Sequence, residues 1–453
     1  MNLHSFDKQE RGSIHWAAVA GHFHVVRLLL RSGAEVNCTD RNRATPLHFA
    51  AAYGYAQVLE TLINHGADVN AQTHSLETPL HLASRRAHFD VVKMLLKHGA
   101  NPAKLTKRGH SPLHYSVTAT ATYDDIDETS AVTTSTQLIE YERELINMVN
   151  HRGQAPLHLA IKKNAFDQVK VILVMTGSSS GVTNARDHNG NTPLHYAAQA
   201  EDSDKLVAAL IDAGADVSLA NRRRVTPLHL AAQYSDKHTV TRMLTTDGAM
   251  PTLDGAGRNV LYYAAMGGNR QSFELLRQLD TNQLSHRSDD DKSLLHIAAQ
   301  SHLPNMIEHI IQLIPSVIDH KDKNGRTALH LAATNSRYLR LRRQIEASRV
   351  YIDEAELMRK KGSELELVAN RSAKCCEILL NHEADATLRD NHVCLFFQIN
   401  LFKTIIIGFT CPSLCGSVQQ HFFILCSSQP LFFHQSNTTT TSNNSNNYNN
   451  DAA

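Results

Sequence analysis

The chain has 453 residues, with 45 basic and 44 acidic side chains and a formal net charge of +1. This balance predicts neither the basic surface that binds nucleic acid nor the polybasic patch that binds a membrane. Cys38 is the only cysteine before Cys375, and the stretch from Met1 to Ser13 contains no apolar run. We therefore expect no disulfide framework, no secretory signal and a cytoplasmic location, with the nucleus as an alternative.

Residues 1–9 show no apolar pattern and are expected to form a short disordered leader. The first repeated unit follows at Ser13 and lacks the Thr-Pro start of later units, as is typical of the end of a repeat array. Its Trp16 is the only tryptophan of the chain. We expect this side chain to pack within the terminal unit, with a binding hot spot as the alternative.

The stretch 45–70 shows the complete unit. Thr45 is a typical helix N-cap residue, Pro46 suits the first helical position, and Gly54 ends the short helix. A second helix is predicted from the apolar stripe at Val58, Leu59, Leu62 and Ile63. Such a pair of helices is too small to bury its own apolar face, so it must stack on copies of itself.

Ten copies are recognised by the residue that follows the T-P-L element. These positions are His15, His48, His81, His114, His158, His195, His229, Tyr262, His296 and His330. They recur with a period of roughly 33 residues, and the steps that follow His114 and His158 are longer. With this period and the T-P-L-H-x-A pattern, the chain resembles the ankyrin-repeat family. The resemblance implies an all-α solenoid of about ten helix-turn-helix repeats with finger loops, over residues 10–390.

The fingers that connect successive repeats usually read D-x-x-G-x-T, and their glycine tolerates a left-handed turn. Four fingers carry another residue at that position: Arg43, Leu76, Arg224 and Asp291. We expect these four fingers to be slightly strained or differently shaped, at a cost of about 1 kcal/mol each.

Two insertions interrupt the array. Residues 118–136 are polar and rich in threonine, and we expect them to form a solvated loop between the two helices of repeat four. A docking or phosphorylated loop is the alternative. The second helix of that repeat is expected to resume at Leu138, Ile139, Leu145, Ile146 and Val149. Residues 336–370 carry a heptad-like stripe, which predicts an amphipathic helix folded onto the array or, alternatively, a helix that captures a partner.

The run from Gly177 to Gly181 reads G-S-S-S-G and formally matches the nucleophile elbow of hydrolases. That elbow needs a strand before it and a helix after it, whereas a helical stripe precedes this run and a finger follows. A hydrolase that uses Ser179 is therefore the least favoured hypothesis. We predict that the protein is not an enzyme and has no catalytic, cofactor-binding or metal-binding residues.

After Asp390 the repeat pattern stops. Residues 391–453 are first apolar and then rich in Asn, Thr and Ser, which predicts an irregular or disordered tail and not a folded domain. The segment 393–411 is nearly long enough to span a bilayer, but Lys403 inside it costs about 2.5–3.5 kcal/mol on insertion. Membrane contact is thus disfavoured. The residues Cys411, Cys415, His421 and Cys426 are of types that bind zinc, but their spacing fits no common zinc site, which disfavours a metal site here.

The resemblance implies a concave face of fingers and first helices that binds proteins. The candidate protein-binding residues on it are Tyr53, Arg85, Arg86, Arg222, Arg223, Arg224, Gln233, Tyr234 and Met266. Tyr, Met and Arg are enriched at protein interfaces, and the basic tips predict an acidic segment in the partner. We expect a non-enzymatic scaffold or adaptor without a cofactor. A membrane-tethered adaptor or channel-related protein that inserts residues 393–411 is the alternative.

A narrower resemblance concerns the two ends of the array. The runs Ile14–Ala18 and Lys374–Asp390 are similar to the ankyrin-repeat regulatory subunits of serine/threonine-protein phosphatase 6. This resemblance implies a serine/threonine phosphatase as a partner and a regulatory role for the chain.

Overall fold

The computed structural model describes residues 6–119, 128–177, 180–200, 203–246, 252–279, 281–333, 370–388 and 390. These residues form helices, turns and no strands, which confirms the all-α class. The chain divides into two compact units, Met1–Leu395 and Phe396–Ala453, and every described residue belongs to the first. The predicted tail 391–453, its segment 393–411 and its cysteines therefore lie outside the described residues.

The helices occur in pairs along the chain. In chain order they are α1 Ser13–Val19, α2 Phe23–Arg31, α3 Pro46–Tyr53, α4 Ala56–Asn64, α5 Pro79–Arg85, α6 Phe89–Lys97, α7 Pro112–Ser116, α8 Glu128–Tyr141, α9 Pro156–Lys162, α10 Phe166–Thr176, α11 Ser180–Thr183, α12 Pro193–Ala197, α13 Ser203–Asp212, α14 Pro227–Tyr234, α15 Lys237–Thr245, α16 Val260–Gly267, α17 Arg270–Leu279, α18 Leu294–Gln300, α19 Pro304–Leu313, α20 Ala328–Ala333 and α21, residues 370–381. Short 3-10 helices cover Arg143–Asn147, Thr281–Leu284 and Pro315–Val317. The pairs correspond to the ten predicted repeats, with the short α11 as an extra turn after the fifth.

Each first helix begins as the T-P-L-H element predicts. Thr45 is extended with ψ 165°, and Pro46 takes the first helical position. The Thr45 amide donates to Nδ1 of His48 at 3.1 Å, so the histidine satisfies a donor that a helix start leaves unpaired. Gly54 ends α3 in the left-handed region with φ 78°.

The core is a line of small apolar layers, each completed by the next repeat. The residue before the repeating His or Tyr is at most 4% exposed in every repeat: Ile14, Leu47, Leu80, Leu113, Leu157, Leu194, Leu228, Leu261, Leu295 and Leu329. Alanines such as Ala50 and Ala231 are fully buried and let neighbouring first helices lie close together. Because each layer needs its neighbours, the stability of the array depends on the interfaces between repeats.

The fingers join one another through their backbones. The His74 amide donates to the Asn42 carbonyl at 2.8 Å, and equivalent bonds of 2.8 to 3.1 Å link each finger to the next along the described array. The four residues at the glycine position, Arg43, Leu76, Arg224 and Asp291, have φ values of 57° to 60°. These fingers therefore keep the left-handed backbone of the glycine fingers and are not differently shaped, and the left-handed conformation is strained for a residue with a side chain.

The leader prediction is wrong for residues 6–9. Asp7 accepts hydrogen bonds from the amides of Gln9 and Arg11 at 2.7 and 2.9 Å, and Glu10 has φ 60°. The Gln9 carbonyl in turn accepts the amide of Arg41. These residues are a complete first finger, hidden in the sequence because glutamate stands where glycine usually does.

The insertion in repeat four is shorter than the predicted 118–136. Residues 128–136 belong to α8, and Thr134 and Ser135 are fully buried. Burial is tolerated because their hydroxyls are bonded: Thr134 donates to the Ser130 carbonyl at 2.8 Å, and Ser135 donates to the Ser116 hydroxyl at 2.9 Å. Polar composition alone therefore misplaced the start of this helix.

The end of the same helix was also misplaced. It stops at Tyr141, and the residues predicted to continue it, Leu145 and Ile146, are buried in the following 3-10 helix. Val149 is 48% exposed. Nearly all of the second predicted insertion, 336–370, lies outside the described residues, and its last residue is the first of α21.

Candidate protein-binding face

The nine candidate residues lie at the ends of first helices and on one finger, in two separate groups. Tyr53, Arg85 and Arg86 lie at the end of α3 and α5, in repeats two and three. The other group lies in repeats seven and eight and consists of Arg222, Arg223, Arg224, Gln233, Tyr234 and Met266. We call these the first cluster and the second cluster. Three repeats separate them, so they form two contact regions and not one site.

In the first cluster, arginine and aromatic side chains lie against one another across repeats. The Arg86 guanidinium carbon is 5.5 Å from the centre of the Tyr53 ring, and the Tyr53 residue is 44% exposed. The Arg85 guanidinium carbon lies 5.7 Å from the ring of Tyr115. Such cation–π contacts contribute about 0.5–1 kcal/mol at exposed sites, and they hold the arginines in place before any partner binds.

Glu77 and Tyr115 complete this cluster, and the sequence analysis missed both. Glu77 Oε1 lies 3.4 Å from Nη1 of Arg85 and accepts a 2.8 Å hydrogen bond from the Tyr115 hydroxyl. Burial, followed by the bond to Glu77, raises the pKa of Tyr115 to about 12, so the phenol keeps its proton at neutral pH. The charge of Arg85 is thus partly neutralised by Glu77, whereas the Tyr53 side chain is exposed to solvent.

In the second cluster, the ends of α14 and α16 lie close together, and the arginine side chains of the finger are exposed to solvent. A Cβ on Gly267 would collide with the Gln233 carbonyl oxygen, so glycine permits the close approach of α14 and α16. Tyr234 is 59% exposed, and Gln233 and Met266 are half-buried. The three arginines of the preceding finger are exposed, and their side chains make no hydrogen bond or ion pair to any described residue.

In five of the ten repeats the residue directly after the repeating His or Tyr is aromatic, and we call these five the aromatic column: Trp16, Phe49, Tyr115, Tyr196 and Tyr263. Tyr196 and Tyr263 donate their hydroxyl protons to the finger aspartates Asp187 and Asp254 at 2.8 and 2.7 Å. The histidine of the preceding repeat meets the aromatic ring edge-on in the pairs His15–Phe49, His81–Tyr115, His158–Tyr196 and His229–Tyr263. In the sequence, this column could have been recognised at the variable position x of the T-P-L-H-x-A pattern.

Trp16 is the first member of the column and does not pack inside its repeat as expected. It is 48% exposed, and its indole nitrogen donates to Asp7 at 3.2 Å. The Arg11 guanidinium carbon lies 4.6 Å from the ring centre. The ring therefore covers the first finger from outside.

Most of the repeating histidines use both ring nitrogens to hold neighbouring repeats together, whereas in His229 only Nδ1 is bonded, to Thr226, and the buried Nε2 has no hydrogen bond to a described residue. In His48 the Nδ1 atom accepts from the helix N-cap, and Nε2 donates to the Glu77 carbonyl of the next finger at 3.1 Å. His195 does the same with the Val225 carbonyl at 2.9 Å. Tyr262 replaces histidine in repeat eight, and its hydroxyl reaches the equivalent Lys292 carbonyl at 2.6 Å.

Burial keeps these histidines neutral. It lowers the pKa to about 4 in five of them: His48, His81, His114, His195 and His229. Their spacing along the array prevents them from meeting at one point. Across the described part of the chain, no group of three or more His, Cys, Asp or Glu side chains is placed to hold a metal ion.

The G-S-S-S-G run has the wrong structural context for a nucleophile elbow. The helix α10 ends at Thr176, directly before Gly177, where the elbow requires a strand. Residues 178 and 179 lie outside the described residues. In the region the structure describes, no helix is both long and apolar enough to cross a bilayer.

Comparison with known proteins places most of the array in one family. A model described as ankyrin repeats, three copies, matches residues 2–73, 131–221 and 200–285. A second model, ankyrin repeats, many copies, matches residues 62–116. No curated protein matches the chain.

Proposed function

The chain belongs to the ankyrin-repeat family, and from this premise we propose that it is a non-enzymatic scaffold or adaptor that binds protein partners through its fingers and first helices. One observation carries the proposal. The repeating histidines on this face form hydrogen bonds within the array and are not available to a partner. Tyr53, Tyr234 and the three arginines at 222–224, by contrast, have exposed side chains there.

The chemistry of these side chains supports a protein partner. Tyrosine and arginine are the residues that most often dominate binding energy at protein interfaces, because they bury a large area and retain a polar end. Their exposure on a supporting array of rigid repeats limits the entropy that binding must remove. The two clusters lie three repeats apart, which fits a partner that spans several repeats.

A comparison of matched tyrosine variants tests the proposal. Affinity capture with the full chain is compared between the wild type, a variant with Tyr53→Ala and Tyr234→Ala, and Tyr141→Ala. Tyr141 is the control because it is 52% exposed but lies on the second helix α8. We expect the captured partners to be lost, at least tenfold, only in the first variant. Equal capture by all three proteins would refute the proposed face.

A serine/threonine phosphatase is the narrower partner that the sequence resemblance names. The family matches support protein binding in general and stop short of this assignment. Direct titration of a purified phosphatase catalytic subunit with the full chain tests it. A regulatory role is supported if the phosphatase binds the wild type and binds the variant with Tyr53→Ala and Tyr234→Ala more weakly. The absence of binding at micromolar concentrations would refute the phosphatase as a partner.

The membrane-tethered alternative depends on residues 393–411, which lie outside the described residues, and it stays a prediction. Carbonate extraction of membranes separates the two hypotheses. A scaffold without a membrane span is released into the carbonate supernatant, whereas an inserted segment keeps the chain in the pellet.

A further inference from the structure

The ten finger tips show a separation of charge that the net charge of +1 hides. We number the tips along the chain as residues 8–10, 41–43, 74–76, 107–109, 151–153, 188–190, 222–224, 255–257, 289–291 and 323–325. Tips two to seven carry eight Lys or Arg residues and no Asp or Glu: Arg41, Arg43, Lys107, Arg108, Arg152, Arg222, Arg223 and Arg224. All eight are exposed.

Among the residues that the structure describes, these cations have no acidic partners. The aspartates at the bases of the same fingers are buried and bonded to backbone amides: Asp40 accepts from Asn42 and Ala44 at 2.8 Å each, and Asp187 accepts from Asn191 at 2.7 Å. For the eight tip cations, no ion pair with a described side chain is present. The positive charge therefore faces solvent on four of these six fingers, at tips two, four, five and seven, and the two tips between them, three and six, carry no acidic residue.

The charge changes beyond the seventh tip. The eighth tip is Gly255, Ala256 and Gly257, and the ninth is Asp289, Asp290 and Asp291. Only Asp291 of these is paired among the described side chains, with Arg287 at 2.9 Å. A ligand that the basic tips attract would be repelled at the ninth tip, so the positive stripe has a defined end.

The spacing of the tips favours an extended ligand. Successive tips are joined by backbone hydrogen bonds of 2.8 to 3.1 Å, and stacked helical repeats advance by roughly 10 Å. An extended peptide covers about 3.3 Å per residue, so each tip corresponds to about three residues. The five steps from the second to the seventh tip then span roughly 50 Å, or about 15 residues.

We propose that an extended acidic segment of a partner protein, about 15 residues long and with carboxylates placed opposite tips two, four, five and seven, lies along finger tips two to seven. This inference rests on the proposed function and specifies the partner's chemistry. Single-stranded nucleic acid fits less well, because its binding relies on aromatic side chains under successive bases, and no Phe, Tyr or Trp occurs at these six tips.

The test uses the full chain and synthetic peptides in a fluorescence anisotropy titration. One peptide matches the length of the stripe and has Glu only at the positions that correspond to tips two, four, five and seven, and a control peptide has the same composition with its Glu residues grouped at one end. The variant with Arg222→Gln, Arg223→Gln and Arg224→Gln is compared with Lys323→Gln, which alters the first residue of the tenth tip, outside the stripe. Circular dichroism confirms that both variants keep their helical content.

We expect the spaced peptide to bind at least tenfold more tightly than the grouped one. The triple variant should weaken binding by about tenfold, since each exposed ion pair contributes only a small part of the affinity, and Lys323→Gln should have no effect. Affinity should fall as salt rises and should stop increasing once the peptide exceeds about 15 residues. Equal binding of the two peptides, equal effects of the two variants, or tighter binding of an oligonucleotide of similar length would overturn the proposal.

This result is separable from that of the proposed function. If the spaced peptide fails to bind but partner capture still requires Tyr53 and Tyr234, the acidic segment is wrong and the scaffold function stands. If neither the peptide nor the tyrosine variants have any effect, both are wrong.

Discussion

Two columns of basic side chains run through the same repeats and differ in what the fold does with them. The histidines of the T-P-L-H element are buried, and those such as His48 bond with one nitrogen to their own repeat and with the other to the next. The lysines and arginines of finger tips two to seven are exposed, without ion pairs to any side chain that the structure describes. Both columns recur with nearly the same period.

The difference shows that period alone does not distinguish a structural column from a binding one. Histidine can lose its charge at neutral pH and become a buried donor and acceptor, whereas lysine and arginine stay charged and remain in solvent. The histidine column should therefore respond to pH and substitution through stability. The tip column should respond through binding, with little change in stability.

The largest expected effect is the loss of the array in mild acid. Five histidines have pKa values of about 4 in the folded chain and an ordinary value of 6.5 when unfolded, so the unfolded state binds more protons between these values. Their full contribution to stability is present above pH 6.5 and is lost as the pH falls toward 4. Each histidine contributes on the order of 1 kcal/mol per pH unit in that window.

Urea unfolding followed by circular dichroism at several pH values measures this effect. We expect the unfolding midpoint to fall steeply from pH 6.5 to 5, a range above the ordinary pKa values of carboxyl groups, which isolates the histidines. An unfolding midpoint that is constant across this range would contradict the assignment of neutral, buried histidines.

A single substitution in each column sharpens the contrast. His81→Ala removes the 3.1 Å bond from Nε2 to the His110 carbonyl and leaves buried groups unpaired, so we expect a loss of about 2–4 kcal/mol. Lys107→Ala, in the tip between repeats three and four, should change stability by less than about 0.5 kcal/mol. Chemical denaturation of the two variants measures both values, and a comparable loss in each would erase the distinction.

In repeat eight, Tyr262 stands at the buried position that histidine occupies in the other repeats. Tyr262→Phe removes the hydroxyl that reaches the carbonyls of Lys292 and His286 at 2.6 and 2.7 Å, and we expect a loss of about 1–3 kcal/mol. Tyr262→His should keep the bond to the Lys292 carbonyl, as in the other repeats, and lose less. A lower thermal stability for Tyr262→His than for Tyr262→Phe would show that imidazole and phenol do not play the same role at this position.

The smallest expected effect concerns finger strain. Leu76 has φ 58°, so Leu76→Gly should relieve strain and change stability by no more than about 1 kcal/mol, in the stabilising direction. In the next finger Gly109 has φ 75°, and a Cβ there would lie 2.8 Å from the His151 amide nitrogen, so Gly109→Ala should destabilise. Denaturant midpoints compare the pair. Stabilisation by Gly109→Ala would refute the argument.

Periodicity made the architecture predictable, because T-P-L-H and the finger glycine each have a fixed local role. The left-handed backbone at Arg43 and Leu76 followed from position alone, whatever the side chain. Polar burial was not predictable: Thr134 and Ser135 can be buried because Thr134 donates to the Ser130 carbonyl of the same helix and Ser135 donates to the Ser116 hydroxyl, which composition does not reveal.

The candidate face was predictable in position and not in detail. Helix ends and fingers could be located, and Tyr53 and Tyr234 are exposed there. The Glu77–Arg85–Tyr115 contact joins repeats three and four, and no single repeat contains its pattern. The basic tips could be predicted from the finger pattern, whereas the exposure of all eight cations could be seen only in the structure.

Hydrogen–deuterium exchange of the full chain, with and without a captured protein partner, tests the central claim most directly. The account predicts added protection in the finger tips 41–43 to 222–224 and at the ends of α3, α5 and α14, with the second helices α4, α10 and α15 unchanged. Protection confined to those second helices would contradict it.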